Sequence, residues 1–140
     1  MKKRIILPIL VILIFLIVAT FIWFIMKNSG NKIVLYDYRF ASSDQYNINS
    51  KSDRSELDKI ISQMNPIEDN DSNEIKVGGV IIIEMYHDDL IESYRIQGTN
   101  VTKNVYRESY DDLLSISKYK LDDKYYQDLS ELSDKLKSKT

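Results

Sequence analysis

From Ile5 to Met26 the chain runs for 22 residues without a charge, directly behind Lys2, Lys3 and Arg4 and ahead of Lys27. At a helical rise of about 1.5 Å per residue such a run reaches about 33 Å, enough to cross a hydrocarbon core of roughly 30 Å. A cleavable secretory signal shares the basic start, but its apolar core is usually about 7–15 residues and closes on an A-x-A-like site. Ala19-Thr20-Phe21 puts a bulky residue where the second small one belongs, and Ser29-Gly30 lies beyond Lys27. Trp23 and Phe24 suit an interfacial aromatic belt, and Pro8 sits in the first turn, where a missing N–H costs least. The segment therefore predicts a retained transmembrane helix anchored from Ile5 through Trp23 to Met26, with a cleaved, secreted chain as the alternative.

Basic residues crowd the amino-terminal side of the run, which sets the short tail 1–4 inside and residues 33–140 outside the cell membrane, after a linker at 27–32. Over residues 31–140, 15 basic residues stand against all 21 acidic ones, a net charge of −6. This acidity argues against nucleic acid as a partner, since phosphate binding needs clustered Lys and Arg. With no cysteine anywhere, the exported part must hold together by packing rather than by disulfides, and lipid attachment at a cysteine is excluded. The abundance of Ile, Lys, Asn, Asp and Tyr, together with the single apolar run, resembles the small single-pass exported proteins of low-GC Gram-positive bacteria. That resemblance rests on general character, carries no family motif and transfers no functional residue.

Along the exported part, Ile33 to Tyr38 is β-branched and aromatic and reads as a strand. Residues 41–52 are polar and turn-rich. Asp53 precedes Glu56 at capping-box spacing, and Leu57, Ile60, Ile61 and Met64 share one helical face until Asn65-Pro66, so a helix is expected over Asp53–Met64. An acidic loop follows at 68–74. Gly78-Gly79 suggests a bulge or kink before Val80–Ile96, which reads as a hairpin turning at His87-Asp88-Asp89, and Val101–Tyr106 continues it as a third strand. Residues 107–120 suit either a strand end or a helical turn. Tyr125, Leu129, Leu132 and Leu136 recur at helical spacing behind Asp122, placing an amphipathic helix over Asp123–Lys137. The expected fold is α+β: an N-terminal transmembrane helix, then one small domain with an antiparallel β-meander sheet of three to five strands and two amphipathic helices.

Few residues could carry chemistry. His87 is the single histidine, and nucleophilic triads and most zinc sites lean on histidine or cysteine. Beside Asp88 and Asp89 it could act as a base or pH sensor, but a turn position reads first as a solvated polar residue. Asp69, Asp71 and Asn73 take the first odd positions of an EF-hand-like loop, yet Glu74 stands where the turn glycine belongs and Val80 where the bidentate glutamate belongs. Asp111-Asp112 and Asp122-Asp123 are adjacent pairs whose side chains diverge, which does not suit a glycosidase couple.

No catalytic, cofactor-binding or metal-ligating residue is thus nominated. All ten tyrosines lie in the exported part. Tyrosine offers contact area at small entropic cost, which nominates Tyr86, Tyr94 and Tyr106, with Tyr36 and Tyr38 near them, as a partner-binding surface. The expected function is a non-enzymatic module, tethered to the lipid bilayer and facing outward, that binds a protein or peptide in an accessory or immunity-type role, with Val101–Tyr106 as a candidate edge strand. An envelope hydrolase or metal-dependent enzyme is the competing class.

Overall fold

A computed structural model describes residues 12–23, 31–41, 43–68 and 79–140. The chain divides into two units, Met1–Asn31 and Lys32–Thr140.

In the first unit residues 12–23 form a helix, α1, whose apolar side chains are exposed on every side. The expected transmembrane helix is corrected here: among the described residues no helix is long and apolar enough to cross a membrane. The twelve positions of α1 run to about 18 Å, short of a hydrocarbon core of about 30 Å. Of the expected anchor residues, Trp23 is the last described residue of α1 and is exposed, whereas Ile5 and Met26 lie outside the described residues.

The second unit is α+β. Its strands are β1 (Lys32–Tyr38), β2 (Asp44–Asn47), β3 (Asn65–Pro66), β4 (Val80–His87), β5 (Leu90–Gln97), β6 (Asn100–Arg107) and β7 (Leu113–Lys120), and its helices are α2 (Lys51–Ile61) and α3 (Asp123–Ser138). The strands make one seven-stranded sheet in the order β2-β1-β4-β5-β6-β7-β3, with antiparallel pairing throughout. Between β2 at one edge and β3 at the other the chain runs through α2.

Alternation along the strands explains why the sheet is one-sided. Ile33 and Leu35 on β1, Ile81, Ile83 and Met85 on β4, Tyr94 and Ile96 on β5 and Val101 on β6 share one face by register. They form the core with Leu57 and Ile60 of α2 and Leu129, Leu132 and Leu136 of α3. Burying a branched aliphatic side chain contributes about 1.5–3 kcal/mol, so this layer dominates the stability of the unit.

Three polar groups are buried with the core, and their partners fasten the helices. Asp37 accepts hydrogen bonds from Ser133 Oγ at 2.6 Å and from Arg39 Nη2 at 2.7 Å, and Arg39 also reaches Asp134 at 2.8 Å. Asp53 pairs with Lys135 at 2.8 Å and Lys139 at 2.7 Å, tying the first turn of α2 to the last turns of α3.

Several boundaries depart from expectation for local reasons. α2 starts at Lys51 because Ser50, not Asp53, is its N-cap, its hydroxyl accepting from the Asp53 N–H at 3.1 Å. Asp53 is released to bind the two lysines. α2 ends at Ile61 with Ser62 as its C-cap, short of the expected Met64, and Asn65-Pro66 pairs as β3 with Tyr119 and Lys120. β2 falls in the stretch expected to be turn, where only Tyr46 of its four residues is buried. Val101–Tyr106 lies within β6, an interior strand paired on both sides, not an edge. The sheet accordingly has seven strands where three to five were expected.

Candidate functional site

α2 and α3 both occupy the face that carries the core, and neither covers the opposite face. By register that face presents Tyr36 and Tyr38 of β1, Val80, Ile82, Glu84 and Tyr86 of β4, Arg95 of β5 and Tyr106 of β6. An antiparallel sheet with one face on a core ordinarily turns short polar residues to water on the other. Here four tyrosines stand on that face.

The aromatic residues are organised around Glu84. The Tyr86 hydroxyl donates to Glu84 Oε2 at 2.6 Å and lies 3.0 Å from the Tyr110 hydroxyl. Tyr110 meets the Tyr106 ring edge-on at 5.3 Å, and the Tyr106 hydroxyl accepts from Asn104 Nδ2 at 3.1 Å. At the β1 side Tyr36 and Tyr38 stack at 6.4 Å, and Lys32 Nζ sits 5.8 Å from the Tyr86 ring centre. Burial raises the Tyr86 phenol well above its ordinary range, and Glu84 and Tyr110 add to the rise. Tyr36 is pushed up to about 12 by burial and then by the charge on Glu84. Tyr110 is pushed up to about 12, burial again being the largest cause. These phenols stay protonated and act as hydrogen-bond donors. Beneath them Val34 and Ile91 are buried although neither α2 nor α3 covers this side, flanked in register by Glu84, Tyr86 and Tyr106.

Tyr110 reaches this cluster because two turns are locked together at one end of the sheet. Asp88 and Glu108 both adopt positive φ, 48° and 58°, and the Glu108 N–H donates to the Asp89 carbonyl at 2.6 Å. That bond ties the β6–β7 turn to the β4–β5 turn. Next to the cluster, Tyr38, Val80, Ile82 and Arg95 line a shallow, mainly apolar depression of about 280 Å³.

The nominated tyrosines do not all meet. Tyr86 and Tyr106 stand on the open face, joined through Tyr110. Tyr94 stands on the other face, 5% exposed, inside the core. There its hydroxyl donates to Glu92 at 3.1 Å, and Lys103, which pairs with Glu92 at 2.9 Å, lies over its ring at 5.1 Å. Two members of the open-face cluster, Glu84 and Tyr110, were not singled out as site residues. Strict alternation from Tyr86 would have placed Glu84 on the same face, but a turn tyrosine carries no such signal.

His87 ends β4 ahead of the Asp88-Asp89 turn. Residues 69–74 of the acidic loop lie outside the described residues. Among the described residues no cluster of His, Cys, Asp or Glu is arranged to hold a metal ion. In comparisons with known proteins, no family model, no curated protein and no solved structure matches the chain. The fold and the face define an α+β unit with an antiparallel sheet, helices on one side and a tyrosine-rich surface on the other.

Proposed function

We propose that the unit Lys32–Thr140 is a non-enzymatic module that binds a protein or peptide on the open face of its sheet, held at a membrane by the apolar amino-terminal run and acting on the extracytoplasmic side. The observation that carries this reading is the clustering of Tyr36, Tyr86, Tyr106 and Tyr110 around one carboxylate on the helix-free face. Rigid aromatic side chains fixed by hydrogen bonds lose little entropy on contact, and their hydroxyls satisfy polar groups of a partner. Lipid as the second partner is supported by α1, whose exposed apolar surface on all sides needs a cover other than water. The negative charge of the unit favours a cationic or neutral partner over an anionic one.

Photo-crosslinking in the native membrane fraction tests the reading. A photoreactive residue replacing Tyr106 should give a discrete adduct that Tyr86→Ser removes, whereas the same probe at Gln127, an exposed residue of α3, should give none. Equal labelling from both positions, or none from either, overturns it.

A further inference from the structure

Glu84 sits on the open face with a phenol for its close partner instead of a cation: its carboxylate accepts from the Tyr86 hydroxyl at 2.6 Å. Two cations stand diagonal to it on the neighbouring strands, and both are placed elsewhere. Lys32 Nζ lies 5.8 Å from the Tyr86 ring centre, and Arg95 lines the depression beside Tyr38. The protons of the cluster have one order. Tyr86 directs its single O–H at Glu84, so Tyr110 is the donor in the 3.0 Å contact between the two hydroxyls. Tyr110 Oη then offers lone pairs only, on a residue 51% exposed. Along the row of register that runs from Glu84 through Ser93, Asn104 donates its amide to Tyr106, and its buried side-chain oxygen meets no donor among the described residues. Burial holds the Tyr36, Tyr86 and Tyr110 phenols protonated, so the cluster combines one negative charge with a surplus of acceptors. Beyond it, the two bonded turns carry Asp88, Asp89, Glu108, Asp111 and Asp112, all exposed, which adds a negative field at this end of the sheet.

We infer that Glu84 seats an arginine side chain of the partner, its guanidinium held by the carboxylate and Tyr110 Oη against the neighbouring tyrosine rings. The inference rests on the peptide-binding reading above and gives that partner its chemistry. A guanidinium carries five N–H donors and no acceptor, in a planar fork that pairs with a carboxylate and stacks on aromatic faces. It therefore answers both the charge and the acceptors left over here. An ammonium fits less well, because it is compact and strongly hydrated and its donors diverge from one atom. A carboxylate or phosphate would meet lone pairs and a like charge. A second copy of this unit would bring its own net charge of −6 against the same acidic end.

The test is a titration of the full chain, with carbon-labelled tyrosine rings, in non-ionic detergent at about 0.15 M salt, where exposed charges are screened. The probe is acetyl-glycyl-arginyl-glycinamide, compared with the same peptide carrying citrulline, which is neutral and nearly isosteric. The Tyr86 and Tyr110 ring signals should shift saturably with a Kd on the order of 1 mM. Citrulline in the probe, or Glu84→Gln in the protein, should weaken binding about tenfold or more, because each removes a charge-assisted pair. Tyr110→Phe removes one acceptor but no charge and should weaken it about threefold, read on the Tyr86 signal, which keeps the inference testable if Glu84→Gln does not fold. Asp88→Asn, in the screened turn, should change it by less than about threefold. No saturable shift at about 20 mM, roughly twentyfold the expected Kd, overturns the inference. So does equal affinity for citrulline or lysine in place of arginine, binding unchanged in Glu84→Gln (or in Tyr110→Phe, should the former not fold), or a loss in Asp88→Asn as large as in Glu84→Gln. The Tyr106 photo-adduct decides the peptide-binding reading separately: an adduct that persists in Glu84→Gln keeps that reading and overturns the arginine seat.

Discussion

Removing the carboxylate of Asp37 should cost more than any other single polar change in the sheet. Asp37 is 5% exposed at the end of β1 and accepts from four donors: the Arg39 backbone N–H at 2.9 Å, Arg39 Nε at 3.0 Å, Arg39 Nη2 at 2.7 Å and Ser133 Oγ at 2.6 Å. Asp37→Ala leaves the buried Ser133 hydroxyl without that acceptor, a penalty of about 1–3 kcal/mol. It also breaks a buried ion pair, which typically costs about 3–5 kcal/mol when one partner goes. Arg39 keeps Asp134 at 2.8 Å, so the low end applies and about 3 kcal/mol is expected for the whole change. A unit of this size has about 5–15 kcal/mol in total, and the loss should lower Tm by about 12–24 °C. Urea unfolding of the full chain in non-ionic detergent, followed by circular dichroism, measures it; the midpoint should fall at constant slope. In a cycle with Arg39→Ala the two changes should couple by at least about 1 kcal/mol. A single loss below about 1 kcal/mol, or strict additivity, refutes the clamp.

The same group fixes a pH dependence. Burial alone would raise the Asp37 pKa, but the hydrogen bonds from Arg39 and Ser133 more than offset it and hold the carboxyl below its ordinary value. The unfolded chain, with an Asp value near about 3.9, then binds more protons than the folded chain between the two pKa values. The stabilisation from ionised Asp37 is full above about pH 4 and is lost as pH falls through the folded value. The stability gap between wild type and Asp37→Asn should be constant from pH 7 to about pH 5 and close only below about pH 4; a gap already gone at pH 6 contradicts this.

Three further outcomes follow from single positions. A Cβ on Gly79 would overlap Arg39 Cα, a backbone atom, so Gly79→Ala should destabilise by about 2–3 kcal/mol in the same unfolding assay. Leu129→Ala, emptying a fully buried site in α3, should cost about 3 kcal/mol, whereas Ile116→Ala, at an exposed side chain of β7, should stay within about 0.5 kcal/mol. Ultraviolet titration at 295 nm should find the Tyr36 and Tyr110 phenols ionising near 12, and Glu84→Gln should lower the Tyr36 value without returning it to the ordinary range, because burial is the larger cause.

How much of this was legible from residues alone divides along physical lines. β1, the β4–β5 hairpin, β6 and α3 were placed to within a residue or two because each buries one face against the same core, which imposes period two or period 3.6 on its apolar residues. β7 was ambiguous because the bulge beside Tyr106 brings Leu113 and Leu114 to one side and erases the alternation. β2 was missed because a short edge strand buries little. The transmembrane helix was inferred from the length of an uncharged run. Among the described residues of that run, 12–23, the helix is too short to span.

The amino-acid sequence by itself determined the α+β class, the acidic and cysteine-free character of the unit and most of its helix and strand positions, since these follow from local periodicity and charge. Tertiary structure alone decided that Tyr94 packs into the core while Tyr86 and Tyr106 face outward, that Tyr110 folds over Tyr86, and that β6 is an interior strand. Those facts depend on strand order and on the bonded turns, which bring together residues far apart in the chain, and no local pattern encodes them.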